Sequence, residues 1–219
     1  MSVNLDEFKA IFFDLDYTLA HYVGGMESFA EVMEQFDVPF EVAKKALDRA
    51  NETGFSFALY FNLIERAINK EIDQIRAVQV CSQWMRQNYV LCPGVRDVLQ
   101  ELIAHNSKLE IFIITFGVRD FQRMKIKSFN FPRSIKVIYV GNKNSKYVQV
   151  KGIVQALGGK VLIIEDCPHE LDACRDNGLM PADLETVRIM RPEDSDAPYA
   201  NVTGKFRHQH VSTLSELFG

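Results

Sequence analysis

The stretch KAIFFDLDYTLAHY, residues 9–22, sets the reading of the whole chain: an apolar run, Ala10 to Phe13, ends in two aspartates, Asp14 and Asp16, separated only by Leu15. A run apolar at successive positions is the pattern of a strand buried on both faces, as in a parallel sheet covered by helices. Further runs rich in β-branched or aromatic residues follow at 109–115, 135–140, 160–165 and 187–190, and all but the last are largely apolar. Helical spacings such as Val95-Val98-Leu99-Leu102 and Val150-Ile153-Val154-Leu157 lie between them. The expected architecture is therefore α/β, with a doubly wound parallel sheet. Residues 20–92 interrupt the alternation: they predict successive helices, for example at 28–36, 41–51, 55–69 and 73–89, with no convincing strand. Such a block reads as an all-helical insertion forming a second small domain. Pro93-Gly94 marks the return to the core, because proline disfavours helix at the residue before it and glycine permits the turn. The polar stretch 191–205 reads as a surface loop.

The chain has 219 residues, 47% hydrophobic and 25% charged, with a formal net charge of -4. That length can bury a substantial apolar interior, and the charge balance is neither that of a disordered chain nor that of a basic nucleic-acid binder. No nucleic-acid polymer is expected as a partner. Cys81, Cys92, Cys167 and Cys174 show no CxxC or Cys/His ligand spacing, and no basic-then-apolar export signal precedes residue 9. Free thiols in a reducing cytoplasm are the expected state. No apolar run reaches the roughly 18 to 20 residues of a bilayer-spanning helix, so no membrane association is expected.

In an open parallel sheet, ligands bind beyond the carboxyl ends of the strands, where Asp14 and Asp16 fall. Two like charges beside an apolar strand repel and lose solvation, so at least one has a perturbed pKa unless a cation compensates them. A hard cation such as Mg2+, which takes carboxylate and carbonyl oxygens, is the natural compensator; the bland alternative is a pair of turn aspartates, one capping the next segment. A second acidic cluster, IIEDCPHELDAC, ends the run 160–165 with Glu165, Asp166, Glu170 and Asp172. Another run, IFIITFG, closes on Thr115, and GNKNSKYVQVKG supplies Lys143, Lys146 and Lys151. Hydroxyl and backbone N–H groups, a lysine and metal-binding carboxylates thus arrive in an order suited to a phosphoryl site.

In that order, and over nearly the whole chain, the sequence resembles the haloacid dehalogenase (HAD) superfamily of phosphohydrolases. The motifs are D-x-D-x-T at Asp14, Asp16 and Thr18, Thr115 at the end of the second core strand, an intervening lysine, and E-D-x-x-x-E at Glu165, Asp166 and Glu170. LCPGVRDVLQEL is similar to the segment that follows the helical cap in that superfamily, and CPHELDACRDNG to the helix after its last motif. The resemblance implies a Rossmann-like core, 1–20 and 92–219, with an α-helical cap at 21–91. It implies a Mg2+-dependent phosphatase acting on a small phosphorylated metabolite, such as a nucleotide or sugar phosphate. Asp14 would be the nucleophile that forms a transient aspartyl phosphate, and Asp16 the acid and then the base. Mg2+ would be held by the Asp14 carboxylate, the Asp16 carbonyl and Asp166, with Glu165 and Glu170 as further candidates. Thr115 and the N–H groups of Phe116 and Gly117 would bind phosphoryl oxygens. Phe116 stands where the family often has a small polar residue, so there the side-chain contact is in question.

Three lysines compete for the phosphate-binding position. The helix after the lysine must run back beside 160–165, roughly 20 Å at strand rise. A helix from Lys151 to Leu157 covers only about 10 Å and one from Lys146 about 16 Å, so Lys146 fits better, with Ser145 as N-cap; Lys143 stays open. Cys167 reads as a packing residue, because hard Mg2+ prefers oxygen. The aromatics of 55–68 read as a cap core before a base-stacking surface. His208 and His210 read as surface or last-strand residues, and His21 and Tyr22 as possible substrate contacts at the cap hinge. Competing functions are a phosphomutase, which needs cap cations such as Lys44, Lys45 and Arg49, and a non-catalytic phosphoryl-accepting module like a receiver domain. A dehalogenase is disfavoured, since Asp16 would have no leaving alcohol to protonate.

Overall fold

The structure, a computed structural model, describes residues 3–105, 108–141, 145–179, 182–192 and 197–218. Its strands are β1 (Ala10–Phe13), β2 (Ala20–Tyr22), β3 (Tyr89–Leu91), β4 (Glu110–Phe116), β5 (Lys136–Val140), β6 (Val161–Glu165), β7 (Leu184–Ile189) and β8 (Gln209–Val211). Its α-helices are α1 (Ser28–Glu31), α2 (Phe40–Thr53), α3 (Phe57–Ile68), α4 (Gln74–Asn88), α5 (Val95–His105), α6 (Arg119–Phe129), α7 (Ser145–Leu157), α8 (Pro168–Asp176) and α9 (Ser215–Phe218). Six strands form one sheet in the order β5-β4-β1-β6-β7-β8, and every pair in it is parallel.

All residues of β1 and β6 are buried, which is why their sequences are apolar without alternation. One face packs Phe12, Phe112, Ile114 and Ile163 against Val150 and Val154 of α7 and Leu171 and Cys174 of α8. Phe12 stacks on Phe112 with ring centroids 4.8 Å apart. Truncating a buried aromatic of this kind to alanine costs about 3–5 kcal/mol.

The chain divides into two compact units, one of Met1–His21, Leu91–Phe116 and Asn130–Gly219, the other of Tyr22–Val90 and Gly117–Phe129. Aromatic rings fill the interior of the second unit: Phe29 lies 5.8 Å from Phe55 and 5.6 Å from Tyr60, and Phe57 stacks on Phe61 at 5.8 Å. Of the aromatics of 55–68, Phe55, Tyr60 and Phe61 are thus core residues and Phe57 is half-buried. Tyr22 is buried as well, its ring 4.6 Å from Tyr89 and 6.1 Å from Trp84.

Three expectations change. The insertion is not free of strand: β2 and β3 at its margins form a two-stranded sheet, and three-residue strands are too short to carry a periodicity. The helix expected over 28–36 is α1 followed by a 3-10 turn, Val32–Phe36. The stretch 191–205 has no regular strand among its described residues, but Arg191 at its start is buried; residues 193–196 lie outside the described residues, as do Lys143 and the Ser145 side chain.

Candidate active site

Asp14 lies one residue past β1, and its N–H donates to the Ile164 carbonyl at 3.0 Å, extending the β1–β6 ladder. Phe13 is in register with Ile164, so Asp14 stands beside Glu165, the last residue of β6. Lys146, in the first turn of α7, reaches both: its Nζ is 2.6 Å from Asp14 Oδ1 and 2.8 Å from Glu165 Oε2. Asp166 follows directly, and oxygens of Asp14, Glu165 and Asp166 lie within 4.8 Å of one another. The three are only 6%, 3% and 8% exposed, so water does little to screen them.

One lysine faces three carboxylates, and the protonation equilibria register the imbalance. Burial, reinforced by Glu165 and Asp16 and opposed by Lys146, pushes the Asp14 carboxyl up to about 7. Burial, with Glu165 and Asp14 adding to it, holds Asp166 well above the ordinary carboxylate range. Burial alone would lower Lys146, but Asp14 and Glu165 outweigh it and raise its pKa well above the usual lysine value. Asp166 Oδ2 is buried with no hydrogen-bond partner, an arrangement that is unfavourable without a cation or proton. A hard divalent cation fits this donor set, which is all oxygen and carries excess negative charge.

The remaining expected residues fall as follows. Asp16 is half-buried, and its carboxylate is not in the three-carboxylate cluster. Thr115 is buried in the penultimate position of β4 and Phe116 ends that strand, packed against the core cluster. Gly117 has φ +133, a backbone conformation that side-chain-bearing residues rarely adopt, so glycine suits this position. Lys151 Nζ instead donates to the Asn177 carbonyl at 3.2 Å. Cys167 is buried and its thiol is pushed up to about 12 by burial and by Glu165, which suits packing rather than nucleophilic work.

Asp172 is not part of this cluster. Its Oδ1 accepts from His208 Nε2 at 3.0 Å, and its two oxygens accept the Lys205 and Phe206 N–H groups at 2.6 and 3.0 Å. His208 is therefore a buried structural residue.

Two buried arginines were not singled out from the sequence. Arg188, in register with Glu165 on β7, donates through Nε to the Asp166 carbonyl at 3.0 Å, and through its other nitrogens to the Val202 and Tyr199 carbonyls. Arg191 donates to the Tyr17 and Thr18 carbonyls, each at 2.6 Å. The loop it grips turns on Tyr17 at φ 59 and closes on itself, with the Leu19 and Ala20 N–H groups both on the Leu15 carbonyl. The loops bearing Asp16 and Asp166 are thus tied to the end of one strand. Lone arginines in a sequence carry no signal of such a role.

The haloacid dehalogenase-like hydrolase family matches residues 11–181, and the chain belongs to that family. Solved structures agree in fold. A hydrolase of the haloacid dehalogenase-like family from Xanthomonas campestris is 16% identical with TM-score 0.61, over 94% of this chain and 91% of that one. A protein of Bacillus subtilis assigned to the HAD hydrolases, whose magnesium-bound form reveals interdomain movement, is 15% identical with TM-score 0.58, over 96% of each chain. A protein of Thermotoga maritima assigned as a β-phosphoglucomutase is 15% identical with TM-score 0.58, over 82% and 85%. No curated protein sequence matches the chain. No helix among the described residues is long and apolar enough to cross a membrane.

Proposed function

We propose that the chain is a Mg2+-dependent phosphatase that hydrolyses a small-molecule phosphomonoester through an aspartyl phosphate on Asp14. The observation that carries this reading is the buried Asp14–Lys146–Glu165 contact with the unpartnered Asp166 Oδ2 beside it. A cation held by Asp14, Asp166 and the Asp16 carbonyl, with Glu165 adjoining, would neutralise charge on the phosphoryl oxygens. The Asp14 carboxylate attacks phosphorus while Asp16 protonates the leaving alcohol; Asp16 then deprotonates the water that cleaves the acyl phosphate. Lys146, the Thr115 hydroxyl and the N–H groups of Phe116 and Gly117 hold the phosphoryl group in line. Residues 1–20 and 92–219 act as the catalytic core, and 21–91 as a helical cap that limits water access.

The phosphomutase reading calls on the cap cations Lys44, Lys45 and Arg49, of which Lys44 has its Nζ 2.9 Å from Glu27 Oε1. The phosphatase reading is tested on a panel of nucleotides, sugar phosphates and phosphoglycolate. Phosphate release with Mg2+ should vanish in Asp14→Asn, and Asp16→Asn should slow turnover and accumulate the phosphoenzyme. Release that persists in Asp14→Asn would sink it.

A further inference from the structure

Between α4 and α6, within the second unit, a cavity of about 710 Å3 is lined by groups that the proposed chemistry does not use. Its volume lies in the range of small-molecule sites, roughly 300–1,000 Å3. Arg86 comes from α4, and Arg123, Lys125 and Lys127 from α6; Asp120 is the one acid among the described lining residues. The chain as a whole is net negative, so four cations against one carboxylate around a single concavity is a local reversal of charge. Among the described residues no carboxylate forms an ion pair with Arg86, Arg123 or Lys127, all of them exposed.

The cavity also has an apolar side. Met85, Met124 and the buried Tyr89 line it, and methionine adapts its shape to flat or irregular bodies. Lys125 is buried with its Nζ 5.1 Å from the ring centroids of both Tyr89 and Phe121 and 5.9 Å from that of Tyr22. An ammonium set among aromatic faces adds positive potential to the depth of the cavity.

We propose that this cavity binds a metabolite-sized organic anion. Its phosphate-like end lies against Arg86, Arg123 and Lys127, and its compact apolar body lies on Met85, Met124 and Tyr89. Bidentate guanidinium contacts supply orientation, as they do wherever arginine reads a phosphate or carboxylate. None of its lining residues belongs to the carboxylate centre, and the proposal stands whether or not the chain is a phosphatase.

Phenylphosphonate carries both parts of the ligand, and its carbon–phosphorus bond resists ester hydrolysis. Calorimetric titration of the full chain should give saturable binding. Arg123→Gln combined with Lys127→Gln should weaken it at least about tenfold, the effect of losing charge-assisted contacts. That variant keeps the carboxylate centre intact, so the difference between the two titrations isolates the cavity. Met124→Trp fills the cavity and keeps every charge, and it should weaken binding by a similar factor. Wild-type affinity in either variant, with its melting temperature unchanged, would overturn the proposal, as would inorganic phosphate binding as tightly as phenylphosphonate.

Discussion

The guanidinium of Arg191 and the carbonyl of Thr18, 173 positions apart in the chain, meet at 2.6 Å. The same guanidinium holds the Tyr17 carbonyl, so one side chain fixes the loop that follows Asp16. Lysine has a single point of charge and cannot span two carbonyls in this planar way. In Arg191→Lys, kcat should fall by about 10- to 100-fold through misalignment of the loop, with KM moving much less. Arg191→Ala should also unfold at lower urea, by about 1–3 kcal/mol for the buried acceptors left unmade. A kcat equal to wild type in Arg191→Lys would show that the loop holds its geometry unaided.

The carboxylate centre should couple stability to pH and, if it takes the proposed cation, to Mg2+. Asp14 rises from 3.8 to about 7 in the folded protein, so folding favours its protonated form. That contribution is full below about 3.8 and is lost as pH rises through about 7. Asp166 is shifted in the same direction. A divalent cation bound there would replace the proton, so millimolar Mg2+ should raise the melting temperature more at pH 8 than at pH 5. A shift of equal size at both values would remove the carboxylates from the cation site.

His208 works in the opposite sense. Arg175 donates to Thr186 Oγ1 at 2.9 Å, Thr186 Oγ1 lies 2.8 Å from His208 Nδ1, and His208 Nε2 lies 3.0 Å from Asp172. The chain of donors closes with a neutral imidazole protonated on Nε2, which leaves Nδ1 to accept from the threonine. Burial lowers the His208 pKa, with Arg175 adding to it against the pull of Asp172. A depressed histidine gives stability that is full above its unfolded value of 6.5 and lost as pH falls through the folded value. In excess Mg2+, the urea midpoint of the wild type should drop as pH falls below about 6.5, and His208→Gln should flatten that drop. An equal slope in the two proteins would exclude His208 as its source.

The Tyr60 hydroxyl is buried among aromatic rings with no hydrogen-bond partner, and burial drives its pKa far upward. Removing an unsatisfied buried hydroxyl while keeping the ring relieves a desolvation penalty of about 1 kcal/mol or more. Tyr60→Phe should therefore raise the melting temperature by about 2–4 °C, and a lowered one would mean that the hydroxyl has a partner in solution.

The core sheet was legible wherever burial on both faces forced unbroken apolar runs. β1 begins and ends at the residues its composition marks, Ala10 and Phe13, and β6 is shifted by one residue at its start. Helices with strong apolar spacing, such as α5, were equally clear, whereas α6 was not predicted because polar residues dominate its sequence, RDFQRMKIKSF. Asp14, Lys146, Glu165 and Asp166 drew notice through their order along the chain, and the fold brings their side chains together. Tertiary partnerships were not readable: His208 reads as a surface or last-strand residue until Asp172, 36 positions earlier, fills its hydrogen bond. The arginines of β7 and its end were hidden for the same reason, since a carbonyl acceptor leaves no mark in a sequence.

Those arginines bear on where this protein can be cut. The family match ends at residue 181, upstream of both Arg188 and Arg191. A fragment trimmed to that boundary would retain Asp14, Asp16, Lys146, Glu165 and Asp166, yet it would lack the two side chains that anchor the loops beside them. Its inventory of acidic and basic site residues would be complete and their alignment would not. Domain dissection of this chain should therefore extend through the last strand of the sheet, β8.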